Sequence, residues 1–342
     1  MKDFKISIIF LLLLGFFVAC DKEDGSEEAI ETEKACITFI SPYSGLGDDG
    51  YYDLTFSAVT DFCAAHDVAL SLKYPQSSAD VTEIINNWAR YSGKSSQLLV
   101  LSNSDFEQPL KDANVSLDDK QHILLFESVN CDLGENVCTF RLQRYGVSFL
   151  AGLMAAPMEQ AVVVMARPHD PALTAACAGF NDGYSTGGNR AKSIFLAEDY
   201  SGFCNPTKGY TVAAENSSAF IYPLAGGSNL GIYKFSRDHY DYTQIVAGMD
   251  VDCLDFFGAT PFSVLVHIDN VLKTYLDGWL SGSLPASGIS YGLASGEVDI
   301  LVHDVNLPPI GETFNNYAYW RSVYDTNKEL AITKEGEYEK DN

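Results

Sequence analysis

The chain has 342 residues, more than a single hydrophobic core usually serves, which implies two lobes of about 100 to 200 residues each. Hydrophobic residues make up 46% of it, with 20 Phe and 19 Tyr, enough to fill two such cores. A formal charge of -24 repels a phosphate backbone and leaves no basic stripe to release counterions, which excludes a nucleic-acid partner.

Residues 1–20 read as a lipoprotein signal peptide. Lys2 and Lys5 give the positive start, and the apolar run over 6–18 has the length of a secretory core, too short for the ~20 residues of a spanning helix. The run closes on Phe17-Val18-Ala19-Cys20, which resembles a lipoprotein cleavage box, so Cys20 is the expected lipid anchor. An ordinary cleaved signal with an incidental Cys is the alternative. Residues 21–34 are acidic and read as an extended tether. The Lys and acids after Cys20 also resemble the surface-export signal of some Gram-negative lipoproteins, and a plain solvated linker explains them equally well. The expected location is the bacterial cell envelope, membrane-anchored, facing the periplasm or the exterior.

Beyond the tether, short apolar runs alternate with helical stretches. Strands are expected at 35–40, 68–74, 97–101 and 122–126, with helices at 54–66, 81–91 and near 104–113, Asp80 and Glu83 boxing the start of the second. The rhythm restarts with a small-residue-rich helix at 145–156. Strands follow at 161–165, 193–197, 219–222 and 244–248, then an apolar run at 261–266, a helix at 268–282, and a closing strand pair at 289–293 and 298–302. The fold class is therefore α/β, with two doubly wound parallel-sheet lobes, and in such sheets ligands sit at the carboxyl ends of the strands, here in the cleft between lobes. The expected division is 35–143 plus 267–286 for the N-terminal lobe, 144–266 plus 287–332 for the C-terminal lobe, and a polar tail at 333–342.

Seven Cys follow Cys20, an odd number that leaves at least one thiol free, and Cys131 with Cys138 is the most plausible disulfide. There is no CxxC or His-rich spacing, so neither a metal site nor a cofactor is expected.

Gly45-Leu46-Gly47-Asp48-Asp49-Gly50 is formally GxGxxG, but Asp48 and Asp49 stand where phosphates need positive potential, and residues 41–44 separate strand from glycines where the dinucleotide fingerprint wants a tight turn. The loop better suits a neutral, hydroxyl-rich ligand, with carboxylates as acceptors and Tyr51 and Tyr52 as flat faces. The same residues also suit helix capping and inward packing. Gly183-Tyr184-Ser185-Thr186-Gly187 matches GxSxG, but the elbow needs a strand before its Ser, and 171–180 reads as helix.

The segment from Gly45 to Asp53 with Tyr52 resembles the glycine-rich, doubly acidic segment of the basic membrane protein family of substrate-binding lipoproteins, whose well-studied members bind purine nucleosides. Further matches follow in order: Asn136-Val137-Cys138-Thr139-Phe140-Arg141, Phe149 through Ala156, Phe203, Ala225 through Gly231, Gly248 through Asp252, and Tyr291-Gly292-Leu293-Ala294. The resemblance implies a type I periplasmic-binding-protein-like fold, its lobes joined by a three-stranded hinge. It further implies that Asp48, Asp49 and Glu127 face ribose hydroxyls, that Tyr52 and Phe203 sandwich a base, that Gly226 and Gly227 let backbone approach the ligand, and that Asp250 closes the site. Asp53 joins this set in place of the family's Asn. Glu127 stands for the family's Asp and Arg144 for its Glu, and the family's Lys after Ser263-Val264-Leu265 is absent, with Val266 and then His267 there instead; His267 can substitute only in part.

The expected function is thus capture of a small hydroxyl-rich molecule, a purine nucleoside or a sugar, for uptake through a transport permease or an outer-membrane importer, with no catalysis. The alternative is a glycoside or nucleoside hydrolase using Asp48 or Asp49 with Glu127, because paired carboxylates are the minimum equipment for that reaction.

Overall fold

A computed structural model describes residues 33–239, 244–254, 260–305 and 317–341. The expected signal peptide, Cys20 and all of the tether but its last two residues lie outside the described residues.

The first sheet forms from β1 (Cys36–Ile40), β2 (Ala69–Lys73), β3 (Gln97–Leu101), β4 (Gln121–Phe126), β5 (Val137–Leu142) and β12 (Ile289–Tyr291), in the order β12-β5-β4-β3-β1-β2 and parallel throughout. Its connections run through α1 (Tyr51–His66), α2 (Ser78–Ala89) and α3 (Glu107–Ala113). Every residue of β3 is buried, as in a sheet covered on both faces, which is why the strand reads as a continuous apolar run. Ser77 caps α2, accepting from Asp80 N while Asp80 accepts from Gln76 N, so the capping box lies one turn before the one expected at Asp80 and Glu83.

The second lobe begins with α4 (Tyr145–Ala155), β6 (Ala161–Met165), α5 (Pro171–Tyr184), β7 (Lys192–Phe195), α6 (Pro206–Glu215), β8 (Phe220–Leu224) and α7 (Asn229–Asp238). Strands β7-β6-β8 continue into β9 (Ile245–Val246), all parallel. After Ala247, whose N–H bonds Ile221 O at 3.0 Å, the chain becomes β10 (Gly248–Asp250), which pairs with β11 (Phe262–Val266); β11 in turn pairs antiparallel with β13 (Val298–Val302). One strand therefore hands over from the first half of this sheet to the second. Helices α4 and α5 touch backbone to backbone: a Cβ on Gly183 would lie 2.0 Å from Phe149 O. That contact accounts for the first glycine of the GxSxG match, and Ser185 sits in a short 3-10 turn with its hydroxyl on Asp182 O, not on a strand-to-helix elbow.

The chain crosses between lobes three times, between β5 and α4, between β11 and α8 (Ile268–Ser281), and between β12 and β13, while α8 packs on α1 and α9 (Tyr317–Asp341) packs on α4. The sequence-based division shifts at two points. Residues 289–291 pair with β5 and so belong to the first lobe, and they form no pair with 298–302. Residues 333–341 are no tail: they continue α9, and Glu335 within them is only 2% exposed.

The expected Cys131–Cys138 disulfide is not formed. Both are free thiols, Cys131 against the Val129 and Ser287 carbonyls and Cys138 against Pro285 O, so each faces its own backbone acceptor in place of the other sulfur. Among the described residues no helix is long and apolar enough to cross a membrane, and no cluster of His, Cys, Asp and Glu is arranged to hold a metal.

Candidate functional site

The carboxyl ends of both sheets converge on a cavity of about 90 Å³. A single water needs roughly 10–15 Å³ on this measure, so the space suits a ring-sized molecule. It is built from both lobes: Tyr52, Asn103 and Glu127 line it from the first, Phe203, Tyr222 and Asp250 from the second.

Two carboxylates occupy matched positions. Glu127 follows the last residue of β4, and Asp250 is the last residue of β10; both adopt left-handed backbone, with φ of 55° and 66°. Non-glycine residues held in that region carry strain of order 1–3 kcal/mol and cluster at ligand clamps. Here the conformation turns each side chain off its strand end toward the space between the sheets.

Arg144, at the first crossover, lies between them. Its Nη2 donates to Glu127 Oε1 at 3.1 Å and its guanidinium sits 5.2 Å from the Tyr51 ring centroid. Burial works against its charge, but the negative potential of Glu127, then of Asp250, outweighs that and keeps it firmly protonated. Asp250 is half-buried and lines the cavity. Burial pushes its carboxyl up to about 6; Arg144 opposes the shift, and Asp48 and Glu127 add to it.

The acidic loop divides between the cavity and the start of α1. Asp48 lines the cavity, but its oxygens accept from the backbone N–H groups of Gly50, Tyr52 and Asp53, each at 3.1 Å, so it is the cap of α1. Burial raises its pKa against those three bonds. Asp53 accepts from Gly47 N and Asp49 N at 2.8 Å and braces the loop from the side away from the cavity. Asp49 is exposed and borders a side chamber, not the main cavity. Of the two pairs in the hydrolase alternative, Asp48 shares the cavity with Glu127, its oxygens already taken by backbone N–H groups, whereas Asp49 does not line it.

Tyr52 places its ring on the cavity and accepts from Asn103 Nδ2 at 2.8 Å through its hydroxyl. Phe203 stands on the other lobe, and Gly226 beside it adopts φ 52°, which favours glycine, with a Cβ there coming 3.1 Å from the Phe203 ring. Gly227 lies between the lobes: a Cβ there would come 3.2 Å from Phe203 O of its own lobe and 3.4 Å from Asp48 Cα of the other. His267 lies at the second crossover, its N–H on Glu297 O at 2.8 Å, away from the cavity.

The sequence reading passed over a second arginine. Arg167, just past β6, donates to Asp105 of the first lobe at 2.7 Å and to Asp170 of its own lobe at 2.9 Å, and lies 4.3 Å from the Tyr200 ring. Tyr200 also meets Tyr43 of the first lobe at 4.6 Å between centroids. These residues clasp the two lobes at the edge of the cavity. The signal that could have found both arginines is position: Glu127, Arg144, Arg167 and Asp250 all stand at or within two residues of a strand's carboxyl end, where doubly wound sheets place their ligands.

No family model and no curated protein sequence matches the chain. Solved structures do. A solute-binding protein of an ABC transporter system from Aeropyrum pernix K1 aligns at 17% identity with a TM-score of 0.71, over 88% of this chain and 92% of its own. A periplasmic binding protein/LacI transcriptional regulator from Alkaliphilus metalliredigens, complexed with D-xylulofuranose, aligns at 11% and 0.58 over 78% and 97%. A carbohydrate transporter from Acidothermus cellulolyticus, in complex with myo-inositol, aligns at 11% and 0.57 over 87% and 99%. At these identities the likeness establishes the fold: two parallel-sheet lobes with three crossovers in the type I periplasmic-binding-protein arrangement.

Proposed function

We propose that this chain is a substrate-binding protein that captures a small hydroxyl-rich molecule between its lobes and delivers it for uptake. The observation that carries this reading is the pairing across the cavity, in which each lobe brings one strand-end carboxylate and one aromatic ring: Glu127 and Tyr52 from the first, Asp250 and Phe203 from the second. Carboxylates and an amide accept and donate hydrogen bonds to ring hydroxyls, while flat aromatic faces suit the apolar side of a sugar or base. The ligands named for the Alkaliphilus and Acidothermus structures, a furanose and a cyclitol, support a polyol.

A purine nucleoside, the ligand implied by the basic membrane protein resemblance, shares the furanose with the sugars and is the first ligand to try. Ligand contacts on both lobes favour the closed form through their differential affinity. Lipidation of Cys20 would hold the protein at the envelope beside its permease or importer. The test is thermal: a ligand at ~100 times its Kd adds about 2.7 kcal/mol of stability. Guanosine, inosine, adenosine and a panel of pentoses and hexoses should include at least one compound that raises Tm; if none does, the reading fails. Incorporation of labelled palmitate, lost in Cys20→Ala, tests the anchor.

A further inference from the structure

The carboxylates around the cavity are not equivalent. Asp48 is satisfied by three backbone N–H groups. Glu127 takes Arg144 and Leu142 N, and Asp170 takes Arg167 with the N–H groups of Ala172 and Leu173. Asp250 alone of the four accepts no hydrogen bond from any described residue, although its backbone is held in the left-handed region that turns it into the cavity. A half-buried carboxylate without a donor is partly stripped of water, and its proton affinity is raised accordingly. A ligand has to supply what the fold withholds.

Asp250 is also the wall between two spaces. On its far side lies a chamber of about 20 Å³, sharing Gly226, Asn229 and Met249 with the main cavity and bounded by Asp49, Tyr233 and Cys253. On the scale of roughly 10–15 Å³ per water, it accommodates one group of water size, which is the size of an ammonium. Among the described residues around it there is no Lys, Arg or His, and its two ionisable carboxylates beside Asp48 are Asp49 and Asp250.

Resting on the polyol reading above, we infer that the ligand is an amine-bearing polyol, its hydroxylated ring in the main cavity and its protonated amino group on Asp250 at the mouth of the side chamber. Arg144, the nearest cation, is neutralised toward the first lobe by Glu127, so it leaves the Asp250 side net negative. A charge-assisted bond of this kind is roughly twice as strong as its neutral counterpart.

The experiment compares matched pairs on the full chain by calorimetry at pH 7.5: glucose with glucosamine, galactose with galactosamine, and adenosine with 3′-amino-3′-deoxyadenosine. In at least one pair the amino member should bind about tenfold tighter than its parent, a difference of about 1.4 kcal/mol. In Asp250→Asn the amino member should lose its advantage over its parent, whatever the change does to the affinity of the parent itself. The inference is overturned if neutral members bind and amino members bind no tighter, or if the preference survives Asp250→Asn. If no member of any pair binds to either protein, the polyol reading itself falls and takes this inference with it. Because the Asn variant removes a half-buried charge without changing shape, a folded protein is expected, and its thermal transition confirms that the comparison is between intact molecules.

Discussion

Glu335 on α9 accepts from the backbone N–H of Gly146 at 3.0 Å, while its other oxygen accepts from Leu293 N at 3.0 Å. One carboxylate thereby joins the start of α4 to the third crossover. Neighbouring residues extend the grip: Tyr338 stacks on Tyr145 at 4.2 Å, and Glu339 pairs with Arg141 on β5. The last turns of α9 thus hold the first and third crossovers together, and both crossovers must flex if the lobes open and close.

Replacing Glu335 by Ala strands two buried N–H groups, each worth about 1–3 kcal/mol when left unsatisfied. The variant is expected to lose about 2–4 kcal/mol of unfolding free energy, read from the urea midpoint at constant m. Chains ending at residue 332 should lose at least as much. A loss below about 0.5 kcal/mol for Glu335→Ala would mean that the tail is the solvated appendage its composition suggests.

The clasp at the cavity edge makes a separate prediction. Asp105 is the first-lobe partner of Arg167, with side chains 21% and 13% exposed, so the pair is partly screened and worth about 1 kcal/mol. Asp105→Asn leaves Arg167 on Asp170, and hence leaves the cap of α5 intact. The closed form should lose about fivefold in population relative to the open one. Solution scattering on the ligand-free protein should report a larger radius of gyration for the variant, and an unchanged curve would show that the clasp does not set the opening equilibrium.

The alternation of strand and helix was legible because sheets covered on both faces force continuous apolar runs, as in β3, β6 and β8. Strand β12 was legible as a strand, but three half-buried residues carry nothing that says which sheet they join, and it pairs with β5 of the first lobe. The acids were harder to sort. A carboxylate that accepts from backbone, such as Asp48 or Asp53, and one that faces open space, such as Asp250, are the same residue type; only the fold decides which lone pairs are already taken. Glu335 was illegible for the opposite reason. It lies among Lys334, Glu337 and Glu339 in a stretch that reads as solvated, and nothing local marks the one carboxylate that turns inward. Arg144 entered the sequence comparison only as a departure from a family pattern, although its place between Glu127 and Asp250 makes it central to the charge balance of the cavity.

That charge balance predicts the pH dependence of stability. Burial raises the carboxyl of Asp250 from its ordinary 3.8 to about 6, so between those values the folded state holds more proton than the unfolded chain. The slope of unfolding free energy with pH follows the protons bound in the unfolded state minus those bound in the folded state, which is negative here. Stability contributed by this group is therefore full below about pH 4, falls as pH rises through 6, and stays low above it. Glu335, raised to about 6, acts in the same direction, whereas His122 and His303, lowered by burial, act against it as pH falls. Comparing the wild type with Asp250→Asn cancels every group but one. At pH 7.5 the ligand-free variant should be the more stable, by something on the order of 1–3 kcal/mol. Near pH 4.5 the gap should shrink to about 1 kcal/mol, because the native Asp250 is then protonated while the unfolded carboxyl, at 3.8, is still mostly ionised. A constant gap across that range, or a variant less stable than the wild type at neutral pH, would place the Asp250 charge in contact with a donor and remove the unmet demand that the cavity directs at its ligand.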